Sequence, residues 1–173
     1  ISTCGADATY KKITPITFYQ CVTYSTLNSS KSSDCTSPSK LWLNPGDANT
    51  PPSYVCTAIA STQCQSQSGL MYYDNINYNI YSCLSASAIT TACSGASKVV
   101  YQWLSTVANE GTFYSCQTLS TLNSTKSADC SGGKKLWLDE VNTPNSYVCT
   151  SIVDTTCSPN SVFYDIVNGV YNC

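Results

Sequence analysis

Thr17-Phe18-Tyr19-Gln20-Cys21-Val22-Thr23-Tyr24-Ser25-Thr26-Leu27-Asn28-Ser29 returns 95 residues later as Thr112-Phe113-Tyr114-Ser115-Cys116-Gln117-Thr118-Leu119-Ser120-Thr121-Leu122-Asn123-Ser124. The match continues without a gap to Lys40-Leu41-Trp42-Leu43 and Lys135-Leu136-Trp137-Leu138, so that 18 of 27 positions agree. One chain thus carries two copies of a unit, and the copies reveal which positions the unit keeps. Within the stretch, Phe18, Gln20 and Val22 alternate with Tyr19, Cys21 and Thr23. A period of two in aromatic and β-branched residues predicts a strand.

Residues 53–59 and 146–152 read the same way. Asn168-Gly169 between the apolar runs 162–166 and 170–173 predicts a hairpin, and 108–111 between 99–104 and 112–119 predicts another. Pro and Gly mark 44–52 and 142–144 as loops. No segment carries an apolar stripe of helical period with caps, so helix is minor. The expected fold is all-β: two tandem, disulfide-rich antiparallel β domains, small and sandwich-like, homologous to each other. The first cysteine-rich repeat spans 1–83, a short linker 84–88, and the second repeat 89–173. The second copy has extra residues between its first two cysteines, and its early part, with Trp103, matches least. Insertions of that kind belong on loops.

Twelve cysteines divide six and six: Cys4, Cys21, Cys35, Cys56, Cys64, Cys83, then Cys93, Cys116, Cys130, Cys149, Cys157, Cys173. Each has a counterpart in the other copy. Such a set reads as a disulfide framework, and the spacing leaves all 15 pairings per unit open. Zinc sites use close C-x-x-C pairs or histidines. The chain has no histidine, and its closest pair within a unit, Cys56 and Cys64, is too far apart. No metal and no cofactor is expected. Disulfides persist in oxidising compartments, which places the protein outside the cell or on its surface. The chain lacks a starting Met and a signal peptide, and is read as a mature form with its targeting segment removed, or as part of a longer chain.

The eight cations are all lysine, the net charge is −2, and no basic run exists, which excludes a nucleic-acid partner. No apolar stretch approaches a membrane span. Without histidine there is no Ser-His-Asp or Cys-His arrangement, and Lys31 and Lys126 lie in Ser-rich stretches unsuited to a Ser-Lys pair. Glycoside hydrolysis needs two facing carboxylates. Those kept in both copies are Asp34/Asp129, beside a cysteine, and Asp74/Asp165, each after a tyrosine. Asp74 and Asp165 are read as turn acceptors. No catalytic residue is assigned, and the protein is not expected to be an enzyme.

Asn28-Ser29-Ser30 and Asn123-Ser124-Thr125 are the chain's two N-glycosylation motifs, at corresponding places. An oxidising compartment permits their use, so Asn28 and Asn123 are expected to carry glycans. Trp42 and Trp137 could form sugar-stacking platforms. The alternative is packing, with Leu41 and Leu43 on one face of a strand and Trp42 on the other. The loop 44–52 could insert into a protease, but it differs between the copies and offers no anchor.

Regular cysteines, abundant Ser, Thr, Ala and Asn, and few charges make the chain similar in composition to the cysteine-periodic repeat proteins that coat protist cells. The resemblance implies a structural role at a cell surface and carries over no functional residue. Unlike epidermal-growth-factor-like modules, the unit spreads six cysteines over about 85 residues. It also lacks the immunoglobulin Cys–Trp spacing. The function expected is an extracellular, glycosylated, tandem-repeat subunit of a cell-surface filament, appendage or coat, with copies of itself as partners. A secreted lectin-like protein with two carbohydrate-binding modules is the alternative, weakened if Trp42 and Trp137 are buried. A secreted inhibitor or toxin ranks third.

Overall fold

The computed structural model describes residues 4–6, 8–13, 18–23, 26–27, 35–65, 68–77, 79–95, 97–122, 130–152, 156–157 and 161–173. Among these are twelve strands and two short helices, besides helical residues at 26–27 and 119–122. The strands are β1 (Ala8–Ile13), β2 (Phe18–Thr23), β3 (Lys40–Asn44), β4 (Ser53–Thr57), β5 (Leu70–Asp74), β6 (Ile80–Leu84), β7 (Lys98–Leu104), β8 (Thr112–Thr118), β9 (Lys135–Asp139), β10 (Ser146–Thr150), β11 (Phe163–Asp165) and β12 (Val170–Asn172). The helices are α1 (Thr62–Gln65) and α2 (Ala86–Ala92). All twelve cysteines pair, and each bonds to the next in sequence: Cys4–Cys21, Cys35–Cys56, Cys64–Cys83, Cys93–Cys116, Cys130–Cys149 and Cys157–Cys173.

The chain divides into two compact units, residues 1–83 with 106–111, and residues 84–105 with 112–173. Strands in the first unit follow the order β5-β6-β3-β4-β1-β2, and in the second β11-β12-β9-β10-β7-β8. The two orders are the same once six is added to each number. The stretch 84–88, read as a linker, is the end of β6 and the first turn of α2. There Ser85 caps the helix by accepting from the Ala88 N–H, and Ile89 is fully buried.

The repeating element is smaller than the unit. Each unit holds three cystine hairpins, and every bridge ties the segment leading into a hairpin to the hairpin's second strand or the residue just after it. That second segment reads Tyr-x-Cys in all six: Tyr19-Gln20-Cys21, Tyr54-Val55-Cys56, Tyr81-Ser82-Cys83, Tyr114-Ser115-Cys116, Tyr147-Val148-Cys149 and Tyr171-Asn172-Cys173. The residue before the tyrosine is buried wherever its side chain is described: Ser53, Ile80, Phe113, Ser146 and Val170. A two-stranded hairpin is marginal by itself, and the bridge restrains it.

The expected antiparallel pairing holds inside the hairpins, as in β1–β2, β3–β4, β7–β8, β9–β10 and β11–β12. Between hairpins the pairing is parallel, in β1–β4, β3–β6, β7–β10 and β9–β12. The sheet is therefore mixed. The second strand of each new hairpin lies beside the first strand of the one before, turned end for end. A sandwich is also not what covers the core. Leu41, Tyr54 and Ile80 pack with Leu27 and Cys35, which come from the lead-in segment and not from a second sheet. In the second unit Leu136, Tyr147 and Val170 pack with Leu122 and Cys130, the matching residues.

The four parallel joints among the described residues obey one register. The first-strand residue that faces the middle of Tyr-x-Cys in its own hairpin meets the tyrosine of the next hairpin's Tyr-x-Cys. Trp42 faces Val55 and meets Tyr81. Trp137 faces Val148 and meets Tyr171. Tyr101 faces Ser115 and meets Tyr147. Lys11 faces Gln20 and meets Tyr54.

Candidate functional site

Three features could bear function. The first is a cleft that recurs at the same place in each unit. In the first unit, Lys12, Trp42, Asn44, Val55, Thr57 and Gln63 line about 460 Å³. In the second, Gln102, Trp137, Asp139, Val148, Thr150 and Thr156 line about 520 Å³. These six pairs correspond position by position. Lys12 and Gln102 each follow the joint position, Lys11 on β1 and Tyr101 on β7, and Gln102 pairs with Val148. Leu41 and Leu43 belong to the core cluster, while Trp42 lines the cleft on the other face, as strand alternation requires. Yet Trp42 is 5 % and Trp137 7 % exposed. At that exposure neither offers the open ring face that stacking on a sugar needs.

The second feature was not foreseen from sequence. Glu110, on the β7–β8 tip that belongs to the first unit, is 1 % exposed, and its carboxylate receives a hydrogen bond from Lys40 Nζ. The same ammonium lies 5.8 Å from the centre of the Tyr81 ring, a cation–π distance. Tyr81 stacks on Tyr73 at 4.5 Å, and Tyr73 donates to Asn79 Oδ1. Burial first, then Tyr73 and Glu110, push the Tyr81 hydroxyl up to about 12. This is one carboxylate neutralised by one ammonium. A second carboxylate facing a common point, which acid–base cleavage of a glycosidic bond requires, is missing from the described residues around it. Glu110 has no counterpart in the other copy, so comparing the copies could not find it. Lys135, which corresponds to Lys40, is exposed.

Asp74 and Asp165 are turn acceptors, as read from sequence. Asp74 Oδ1 receives the Ile76 and Asn77 N–H groups. Asp165 Oδ1 receives those of Val167 and Asn168, and Asn168 Nδ2 donates to Oδ2 at 2.6 Å. Asp139 does the same with Val141 and Asn142. Three hairpins therefore share an Asp-x-x-Asn tip, with the apolar third residue, Ile76, Val141 or Val167, turned to solvent. In the loop 44–52, Asn44 and Asp47 hold the backbone of Gly46, Asn49 and Thr50. The Asn49 and Thr50 groups hold the Asp47 carboxyl below the usual range.

The third feature is the last hairpin. Val162, Phe163, Tyr164, Ile166 and Val167 are all exposed, and they are most of the large exposed apolar side chains described. In the least matched region, Trp103 stacks on Tyr101 at 5.9 Å and on Phe113 at 5.5 Å, packing within the second unit. Asn28, Asn123, Asp34, Asp129, Lys31 and Lys126 lie outside the described residues. Leu27 and Leu122, just before the two glycosylation motifs, are buried core residues. Among the described residues, no group of three His, Cys, Asp or Glu could hold a metal ion, and no helix is long and apolar enough to cross a membrane. No family model, no curated protein and no solved structure matches the chain.

Proposed function

We propose that this chain is an extracellular structural protein, a tandem-repeat subunit of a cell-surface filament, appendage or coat that associates with copies of itself. The two units are homologous modules, each of three cystine hairpins, and Asn28 and Asn123 carry N-glycans. One observation carries the reading. The same stapled hairpin is used six times, and the joint between neighbours keeps the same register wherever it is described. An architecture made by adding identical joints extends by adding more of them. Six disulfides point to an oxidising compartment and give durability outside the cell. A net charge of −2 opposes close association only weakly. Electron microscopy of the native material tests the proposal. Regular fibres or sheets are expected, and dispersed single particles would overturn it.

The paired clefts favour a second reading, a lectin-like protein with two carbohydrate sites. Two equivalent sites would give avidity on one glycan surface. Calorimetry against a panel of oligosaccharides decides it. No heat up to roughly millimolar ligand removes this reading.

A further inference from the structure

We propose that the bare edge of β11 is the docking site for β2 of a second copy of this chain, added as a parallel strand with Phe163 of one copy meeting Tyr19 of the next. This deepens the structural reading above and rests on it.

The register rule assigns the position. In β11, the residue that faces the middle of Tyr171-Asn172-Cys173 is Phe163. It therefore stands where Trp42, Tyr101 and Trp137 stand in their hairpins. Those three are 5 %, 8 % and 7 % exposed, and each is met by the tyrosine of the following hairpin. Phe163 is 67 % exposed, and β11 ends the strand order of its unit. An aromatic that is buried in three joined hairpins is bare in the one that no described strand covers. The complementary part ends the order of the other unit. β2 is a Tyr-x-Cys strand, the type that lies against a preceding hairpin at every described joint, and no described strand lies on its outer side.

Within the two strands, charge and proline do little to keep the edges from pairing. Residues 18–23 contain no charge and no proline, and in β11 the sole charge, Asp165, is held in its own turn. Natural proteins blunt exposed edges unless pairing is their use. The contact is heterologous, one end against the other, so it does not saturate in a dimer and continues into a chain of copies.

A photoreactive benzoylphenylalanine at position 163 of the full chain, irradiated in the assembled state, reads the contact directly. The expected product has doubled mass and joins position 163 to the peptide containing residues 18–23. Crosslinks that avoid that peptide, or that form within one polypeptide without change of mass, overturn the proposal. In parallel, Phe163→Glu should weaken association roughly tenfold to a hundredfold in sedimentation, whereas Phe163→Trp should retain it. Intact mass, reporting six bridges, checks that both variants fold. Undiminished assembly of Phe163→Glu overturns the edge contact and leaves self-association standing. A wild-type chain that stays monomeric at every concentration overturns both.

Discussion

Removing one cystine tests whether the hairpins are independent elements. The loops closed by the six bridges do not overlap, and the paired cysteines lie 17, 21, 19, 23, 19 and 16 residues apart. Loop-closure entropy depends on the logarithm of loop length, so these loops are nearly equal in effect. The chain-entropy relation gives about 3.1 kcal/mol for the shortest and about 3.4 kcal/mol for the longest. Replacing Cys157 and Cys173 by alanine should therefore cost about 3 kcal/mol. The Cys93 and Cys116 pair should cost slightly more, because both sulfurs are also buried. Because the loops share no residues, removing both bridges should cost the sum, about 6–7 kcal/mol. Urea unfolding followed by tryptophan fluorescence measures this. With a slope of about 1–3 kcal/mol per molar, each bridge should move the midpoint by roughly 1–3 M. Interlocked loops would not add. A double removal costing no more than a single one, or a single removal without effect, would refute independent stapling.

The remaining tests probe single groups. Glu110→Gln leaves the Lys40 ammonium without its carboxylate at a site with little water, and should cost about 3–5 kcal/mol. Lys40→Met combined with Glu110→Leu should recover most of that loss, measured by the same unfolding curves. Hydrogen bonds, that of the Asn168 side chain foremost, hold the Asp165 carboxyl below the ordinary carboxylate range. Its contribution to stability should persist above that range and disappear as pH falls through the lowered value, which NMR titration of the carboxyl carbon can follow. Tyr81 has the opposite sign. Its hydroxyl is raised to about 12, so its contribution is full below the ordinary tyrosine value and is lost as pH rises through about 12. In a tyrosinate absorbance titration Tyr81 should ionise late. Gly46 has φ +74° with the Thr50–Pro52 backbone close beside it, so Gly46→Ala should destabilise the first unit by roughly 1–3 kcal/mol in thermal melts.

Some of this architecture could be read from residues, and the reason differs from element to element. The strands at 53–57, 146–150 and 163–165 lie within the runs of aromatic and β-branched residues that the sequence displays. Asn168-Gly169 marked its hairpin, although the turn begins at Asp165, whose carbonyl receives the Gly169 N–H. The hairpin repeat leaves only a faint mark in the sequence. Its signature keeps two residues, Tyr and Cys, separated by one, and the loops between vary in length. The long matches of the duplication overshadow the shorter period, which shows only as six Tyr-x-Cys triplets. The pairing of consecutive cysteines was beyond reach, since equal spacing serves many connectivities. So was Glu110, whose partner Lys40 lies 70 residues away and whose burial depends on the fold alone.

The aromatic at the joint position also weighs between the two readings of function. A sugar platform would need Trp42 and Trp137 open to solvent in both units, and strands could then have joined over smaller residues. Instead Trp42, Tyr101 and Trp137 are covered, each opposite a tyrosine across a parallel joint. Parallel pairing is slightly the weaker kind, and large side chains paired across it bury area where the backbone contributes less. The ring is thus explained by the joint, and the cleft beside it follows from the same geometry repeated. Phe163 is the case that separates the two accounts. For a sugar site its exposure is incidental, because it lines neither cleft. For an extending sheet, a bare ring at the joint position is the surface that the next copy would cover.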